Sequence, residues 1–288
     1  MNGTLRGKRS MTLTIAMLAV LAYFLIPLFW LAVSSTKSTQ DLFNTFGLWF
    51  SHAPQLLTNI RDTFSTNGGV FVRWLLNTVF YAGVSSVGAA FLAAFAGYGF
   101  AKYRFRGRSA GFNLVVGTIM VPATALAIPT YLLFSQVGLV DTPWAVILPS
   151  LINPFGLYLM RIYAQDAVPD SLIEAARIDG AGELRIFFTI ALRLLGPGLV
   201  TVLLFTLVST WNNYFLPLIM LNNPNLYPVT VGLSSWAAQA QNGGAGASSD
   251  MFALVTTGSL LSIIPLVVAF LFLQRYWQSG LANGAVKQ

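Results

Sequence analysis

Long, uncharged apolar segments dominate this sequence of 288 residues. Only 9% of the residues are charged and 56% are hydrophobic, whereas soluble domains carry about 25% charged residues. Six segments have about the length of 20 apolar residues that crosses a bilayer. They are residues 11–33, 74–100, 110–134, 143–160, 197–220 and 252–274. The sequence therefore predicts an all-α, polytopic membrane protein with six transmembrane helices.

The basic residues are unevenly distributed among the connections between these segments. Thirteen of the 16 lysines and arginines fall on one side of the predicted membrane. They are Arg6, Lys8, Arg9, Lys102, Arg104, Arg106, Arg108, Arg161, Arg177, Arg185, Arg193, Arg275 and Lys287. Because cytoplasmic loops carry the excess of Lys and Arg, we expect both termini and residues 162–195 to be cytoplasmic. The net charge of +7 then reflects topology and does not indicate a nucleic-acid-binding surface.

The sequence offers little chemistry of its own. It has no cysteine and one histidine, His52, which excludes thiolate chemistry and a histidine metal cluster. It has no G-x-x-x-x-G-K-[ST] phosphate loop and no catalytic set of side chains, so we expect neither an enzyme nor a bound cofactor. The six predicted segments contain no ionisable residue, which suits a neutral solute and an external energy source. Backbone carbonyls that prolines release leave a secondary carrier open as an alternative.

Residues 169–197, in a predicted cytoplasmic connection, form a mixed-charge element. Ser171 and Glu174 have capping-box spacing, which predicts the start of a helix, and Gly180 is placed to end it in a left-handed turn. A second helix is predicted from Ala181 to Leu192. One face of each helix is expected to be mostly apolar: Leu172, Ala175, Ala176 and Asp179 in the first, and Leu184, Phe187, Phe188 and Ala191 in the second. Such an element either contacts a cytosolic protein or lies on the lipid surface.

The same residues carry a family resemblance. Glu174-Ala175-Ala176-x-x-Asp179-Gly180-Ala181, followed by Phe187, Ile190 and Pro197, resembles the EAA loop of ATP-binding-cassette importer permeases. Further stretches resemble the carbohydrate-uptake, maltose-type branch across nearly the whole chain. They are Pro27 to Trp30, Ser34 to Lys37, Trp74 to Thr78, Gly97 to Arg108, Met120 to Pro122, Trp211 to Tyr214, and Gly280 to Lys287.

The resemblance implies a function, partners and an organisation of the chain. It implies a sugar-importer permease subunit of a bacterial plasma membrane that works with a second, homologous permease, two cytosolic ATPase domains and an extracytoplasmic solute-binding protein. ATP and Mg²⁺ would be bound by the ATPases. The residues implied to couple to an ATPase are Glu174, Ala175, Ala176, Asp179, Gly180 and Ala181. The expected organisation is an anchor helix and outer loop (1–73), a five-helix core (74–275) with its coupling loop at 165–195, and a cytoplasmic tail (276–288).

One departure from the family concerns the end of this loop. The family usually has Leu-Pro-Leu where this chain has Leu192-Arg193-Leu194. Because an interior proline is what kinks a helix, we expect the second helix to continue here without the usual kink.

Several residues inside the predicted spans have both a structural and a functional interpretation. Asn77, Asn153, Trp211, Asn212 and Asn213 are candidates for a polar, aromatic sugar path, but aromatic residues also form interface belts and asparagines also bond across helices. Other features concern packing: small residues recur at Ala89, Ala93, Gly97 and Ala101, and helices are expected to be interrupted at Pro122, Pro129 and Asn153-Pro154. A membrane scaffold whose loop merely recruits a soluble protein remains an alternative function.

Overall fold

The computed structural model of the protein describes residues 11–242 and 251–285, with side chains up to residue 274. Throughout this part of the chain the regular structure is helical and contains no β-strand, which confirms the all-α prediction. The α-helices are α1 (Met11–Ser34), α2 (Thr39–Asn44), α3 (Leu56–Lys102), α4 (Arg108–Thr118), α5 (Ala127–Gln136), α6 (Trp144–Leu151), α7 (Pro154–Ala167), α8 (Asp170–Ile178), α9 (Glu183–Ile186), α10 (Leu192–Leu194), α11 (Gly196–Trp211), α12 (Phe215–Met220), α13 (Val229–Asn242) and α14 (Met251–Ala285). A π-helix, Phe187–Ala191, joins α9 to α10, and a 3₁₀-helix spans Pro224–Leu226.

Several of these helices are long and apolar enough to cross a membrane. In the described residues four qualify: Met11–Ser34, Leu56–Lys102, Trp144–Ala167 and Met251–Gln274. A fifth is formed if Glu183–Leu194 and Gly196–Trp211, which are bent by 78°, are counted as one span. The chain is therefore a polytopic helical membrane protein, and the predicted number of six spans stays a prediction.

The predicted third span, residues 110–134, is divided in the structure. It contains α4 and α5, separated by successive tight turns over residues 119–126. In these turns backbone N–H groups bond to the carbonyl three residues back, as Val121 does to Thr118 and Ala125 to Pro122. Pro122 has no N–H to continue an α-helix, so the interruption occurs there, whereas Pro129 lies within the first turn of α5.

The predicted fourth span is longer than expected and is interrupted where predicted. Helix α6 ends at Leu151, and Asn153 caps α7 by accepting a hydrogen bond from the Gly156 N–H at 2.7 Å. Helix α7 then continues beyond residue 160 to Ala167 and includes Arg161 and Asp166. Both ionisable residues follow the predicted span of 143–160, so the expectation that the spans contain no ionisable group stays a prediction. The Arg161 guanidinium lies 3.7 Å from the centre of the Phe112 ring, a cation–π contact that stabilises its charge.

The chain divides into two compact units. The first comprises the described residues of Met1–Gly69 and Leu233–Leu261. Here the buried Lys37 donates hydrogen bonds from its ammonium group to the Thr45 hydroxyl at 2.9 Å and the Phe46 carbonyl at 2.8 Å. The Asn59 amide donates to the carbonyls of Ser35 and Lys37, both at 2.9 Å. These bonds fix the chain that follows α1.

The second unit comprises the described residues of Val70–Gly232 and Ser262–Gln288 and contains the predicted small-residue stripe. Ala89, Ala93 and Gly97 are buried, as the stripe predicts. A Cβ placed on Gly97 would lie 2.7 Å from the Met160 Cβ and 2.8 Å from the Arg161 backbone nitrogen. Since non-bonded carbons do not approach this closely, the contact of α3 with α7 requires glycine at this position.

Some predicted features lie outside the described residues. They are Arg6, Lys8, Arg9 and Lys287. Helix α3 begins at Leu56, well before the predicted start at residue 74. It is interrupted at Thr66–Gly69, where Asn67, Gly68 and Gly69 have positive φ.

Candidate functional site

The predicted two-helix element is present between α7 and α11. Its first helix, α8, ends in a left-handed turn at Gly180, whose φ is +78°. The Gly180 N–H bonds to the Arg177 carbonyl at 3.0 Å and the Ala181 N–H to the Ala176 carbonyl at 2.9 Å. This pair of bonds is a Schellman motif, which satisfies the last carbonyls of a helix. The role predicted for Gly180 is confirmed.

The predicted capping box is not formed. Helix α8 begins at Asp170, and Pro169 occupies the cap position without a side-chain hydrogen bond. Ser171 is already the second helical residue, so it does not have the extended backbone of an N-cap. The Asp170 carboxylate is used elsewhere, since Oδ1 lies 2.8 Å from the Lys102 ammonium nitrogen.

The predicted faces of both helices are shifted. In α8 the buried side chains are Ile173 and Ala176, whereas Leu172, Ala175 and Asp179 are exposed. In the second helix Ile186, Phe187 and Ala191 are buried, whereas Leu184 and Phe188 are exposed. The π-helix, with more residues per turn than an α-helix, changes the register there. The buried side chains join one apolar cluster with Ala94 and Tyr98 of α3, Met160 and Ala164 of α7, and Val202 of α11.

The exposed side of α8 carries the residues implied to contact an ATPase. Glu174, Ala175, Asp179 and Gly180 are exposed, and Ala181 is half-buried against the apolar cluster. Ala176 differs from these because it is 8% exposed and packs inward. The element therefore presents two carboxylates and a small side chain outward while its other side is anchored in the protein.

The second helix does not continue straight into α11. Glu183–Leu194 and Gly196–Trp211 meet at Leu195 with a bend of 78°, so the expectation of an unkinked path is wrong. The bend has its origin at Gly196-Pro197 and not at position 193. Pro197 has no N–H for the Arg193 carbonyl and its ring would clash with that carbonyl in a continuous helix.

Two sets of polar contacts that the sequence did not predict connect this element to the end of α3. Lys102 binds Asp170, and the Lys102 side chain is 8% exposed. The Glu183 carboxylate accepts hydrogen bonds from the Tyr103 hydroxyl at 2.7 Å and from Arg177, whose Nε lies at 2.7 Å and one terminal nitrogen at 3.2 Å. Arg177 and Glu183 are six residues apart, which is not a helical contact spacing; the Gly180 turn brings them together.

The ionisation of these groups follows from their contacts. The hydrogen bond from Lys102 holds the pKa of the Asp170 carboxyl below its usual value, so this carboxylate is charged at neutral pH. Burial, and then the hydrogen bond to Glu183, raise the pKa of the Tyr103 hydroxyl, which therefore keeps the proton that it donates.

The five candidate path residues have different environments. Three of the amides are used within the protein. Asn77 donates to the carbonyls of Asn225 at 2.8 Å and Tyr227 at 3.0 Å, Asn153 donates to the Thr206 hydroxyl at 2.9 Å while capping α7, and Asn212 donates to the Val208 carbonyl at 2.8 Å. Among the residues that the structure describes, the Asn213 amide and the indole N–H of the nearly buried Trp211 have no hydrogen-bond partner. These two side chains retain unused polar groups.

Comparison with known proteins identifies similar membrane components. Residues 86–282 match the protein family described as "Binding-protein-dependent transport system inner membrane component". The chain is 32% identical over 279 residues to the arabinooligosaccharides transport system permease protein AraQ of Bacillus subtilis, covering 96% of this chain and 95% of AraQ. It is 30% identical over 288 residues to the lactose transport system permease protein LacG of Rhizobium radiobacter, covering 99% of each.

A solved structure has the same fold. A chain from the crystal structure of a bacterial ABC transporter involved in the import of the acidic polysaccharide alginate aligns with a TM-score of 0.76 at 24% identity. The alignment covers 96% of this chain and 100% of the other. Since nearly the whole of this chain aligns, its fold is one already known from a solved structure.

Proposed function

Because this chain belongs to the family of binding-protein-dependent transport system inner membrane components, we propose that it is a permease subunit of an ATP-driven importer for a sugar or oligosaccharide. The substrate class is supported by AraQ and LacG, whose names specify arabinooligosaccharides and lactose. The chain contributes half of the translocation pore and no ATP hydrolysis of its own. It works with a second, homologous permease, two cytosolic ATPase domains and an extracytoplasmic solute-binding protein.

The observation that carries this proposal is the two-sided character of α8. Its inner side is fixed by Ile173 and Ala176 in the apolar cluster, and its outer side presents Glu174, Ala175 and Asp179. The exposed residues of α8 also include the apolar Leu172 and Ile178, so carboxylates, a small side chain and apolar groups are mixed on one anchored helix. Such a mixed surface suits close contact with a folded partner, whereas a helix lying on lipid would turn one continuous apolar face outward. We assign the outer face to contact with an ATPase, with Gly180 and Ala181 setting its position.

The substrate path is proposed to include Trp211 and Asn213. An indole ring offers an apolar surface to the C–H face of a sugar, and an amide bonds to its hydroxyls. Asn77, Asn153 and Asn212 have the same chemistry, but their amides already hold backbone or side-chain groups of this chain. Of the five candidates, Asn213 has a partly exposed amide that no other group of this chain holds. Trp211 is 6% exposed, so its ring must be uncovered before it contacts a sugar.

The test is uptake by proteoliposomes that contain this chain with its permease, ATPase and binding-protein partners. Uptake of the sugar bound by the solute-binding protein is expected to require ATP inside the vesicle and to persist when proton and sodium gradients are collapsed. Uptake driven by an ion gradient without ATP would instead identify a secondary carrier. A complex that binds its cytosolic partner but transports nothing would identify a scaffold.

A further inference from the structure

Glu183, the first residue of α9, joins two segments that are far apart in the sequence. One carboxylate oxygen accepts a hydrogen bond from Arg177 Nε at 2.7 Å, and the other accepts from an Arg177 terminal nitrogen at 3.2 Å and from the Tyr103 hydroxyl at 2.7 Å. A two-pronged arginine–carboxylate contact fixes orientation as well as distance. The Glu183 carboxylate therefore connects the C-terminal part of α8 to the residue that follows α3.

The Tyr103 end of this connection is rigid. The Tyr103 ring packs edge-on against Tyr98, with ring centres 5.7 Å apart, and Tyr98 is 2% exposed within the apolar cluster. Burial and its bond to Glu183 keep the Tyr103 hydroxyl protonated, so the hydroxyl remains a donor. A displacement of Glu183 must therefore move or break a contact with the core of α3.

The N-terminal end of α8 is attached to Lys102, the residue that precedes Tyr103. Asp170, the first residue of α8, binds Lys102 at 2.8 Å, and Lys102 is the last residue of α3. Both ends of α8 are thus attached to consecutive residues, Lys102 directly and Tyr103 through Glu183. Two attachments at opposite ends of a helix restrict its rotation about either one.

We propose that Glu183 and Tyr103 are positioning residues for transport, which hold α8 and the end of α3 as one unit so that a displacement of α8 reaches the membrane helices. This rests on the proposed contact of the outer face of α8 with an ATPase. Neither residue belongs to that outer face: the contact with the ATPase is assigned to Glu174, Ala175 and Asp179, and the transmission of the motion to Glu183 and Tyr103.

The test compares Tyr103→Phe with Tyr158→Phe in the complete importer. Tyr103→Phe removes only the hydroxyl and retains the ring that packs on Tyr98. Tyr158 lies in α7 and packs on Phe112, so its substitution removes a hydroxyl that does not contact α8. Uptake and ATP hydrolysis are measured in the same proteoliposomes. Sugar molecules transported per ATP should fall severalfold in Tyr103→Phe, because α8 loses one of its two attachments to the end of α3, and stay unchanged in Tyr158→Phe.

A second measurement follows α8 itself. Hydrogen–deuterium exchange of the backbone amides of residues 170–183 in the assembled complex should be faster in Tyr103→Phe and in Glu183→Gln than in Tyr158→Phe. The double variant Tyr103→Phe/Glu183→Gln should transport no worse than Glu183→Gln alone, because both changes break the same connection.

The outcomes separate this proposal from the one on which it rests. Unchanged transport per ATP and unchanged exchange in Tyr103→Phe would overturn the positioning role, and so would failure of that variant to assemble with the ATPase, since the bond would then serve folding of the loop. The contact with the ATPase is tested apart by Glu174→Gln, which should reduce ATPase co-purification. If Glu174→Gln retains the ATPase fully while Tyr103→Phe loses transport per ATP, Glu174 is not required for the contact, and the positioning role of Tyr103 and Glu183 stands.

Discussion

At the scale of single residues, Gly180 has a conformation that other residues adopt only at a cost. Its φ is +78°, and a Cβ placed there would have no atom within 4 Å. The requirement for glycine is therefore a property of the backbone and not of the available space. The left-handed region costs an L-residue about 1–2 kcal/mol, and proline cannot enter it because its ring fixes φ near −65°.

We predict that Gly180→Pro leaves the protein inserted in the membrane but abolishes uptake, and that Gly180→Ala reduces the stability of the turn by about 1–2 kcal/mol and impairs uptake less. The matched control is Gly182→Ala, because Gly182 has φ −70° and equally open surroundings. Uptake is measured with membrane insertion and complex assembly followed in parallel. Normal uptake by an assembled Gly180→Pro complex would contradict a role for this turn.

Glu174 is one of the residues proposed to contact the ATPase. Its carboxylate is exposed and is separate from the carboxylates that bind Lys102 and Arg177. We predict that Glu174→Lys is produced and inserted normally but no longer retains the ATPase during purification, since a reversed charge at the contact repels the group that bound the carboxylate. Retention of the ATPase at the wild-type ratio, with normal uptake, would place the contact elsewhere.

At the scale of helices, close packing of α3 against α7 depends on Gly97. We predict that Gly97→Ala lowers the stability of the detergent-solubilised protein by about 1–3 kcal/mol, as overpacking does. Gly99→Ala in the same helix is the control, because a Cβ there meets nothing within 4 Å. It should leave the unfolding temperature unchanged or raise it, since alanine favours helix more than glycine does. Equal unfolding temperatures for the two variants would mean that the contact between α3 and α7 accommodates an added methyl group at position 97 without loss of stability.

The helices also indicate which features a sequence can predict. The helical class, the small-residue stripe, the interruption at Asn153 and the Gly180 turn depend on local periodicity or on one residue's backbone preference, and all were predictable. The inward faces of α8 and of the second helix were not. Packing in the apolar cluster with α3, α7 and α11 decides which side of α8 is buried, and the π-helix changes the register of the second helix. The contacts of Tyr103 and Lys102 with the loop join residues 80 and 68 positions apart, and no local pattern encodes such a pairing.

At the scale of the whole molecule, the distribution of lysines and arginines predicts which connections lie in the cytoplasm. We predict that a cysteine at the exposed Ile178 reacts with a membrane-impermeant thiol reagent in inside-out vesicles but not in intact cells. A cysteine at the exposed Phe46, in the connection after α1, should show the opposite pattern. The chain contains no cysteine of its own, so each label reports one site. Reaction of position 178 from outside intact cells would contradict the assignment of the 13 basic residues to the cytoplasm.

The 78° bend at Leu195 has a mechanical consequence. The two helical segments lie at nearly a right angle to each other. A displacement along the axis of Glu183–Leu194 therefore moves Gly196–Trp211 mostly sideways and only slightly along its own axis. Trp211 and Asn213 lie at the far end of the second segment. A small displacement of the loop would therefore move these side chains parallel to the plane of the membrane, the direction in which a passage opens or narrows.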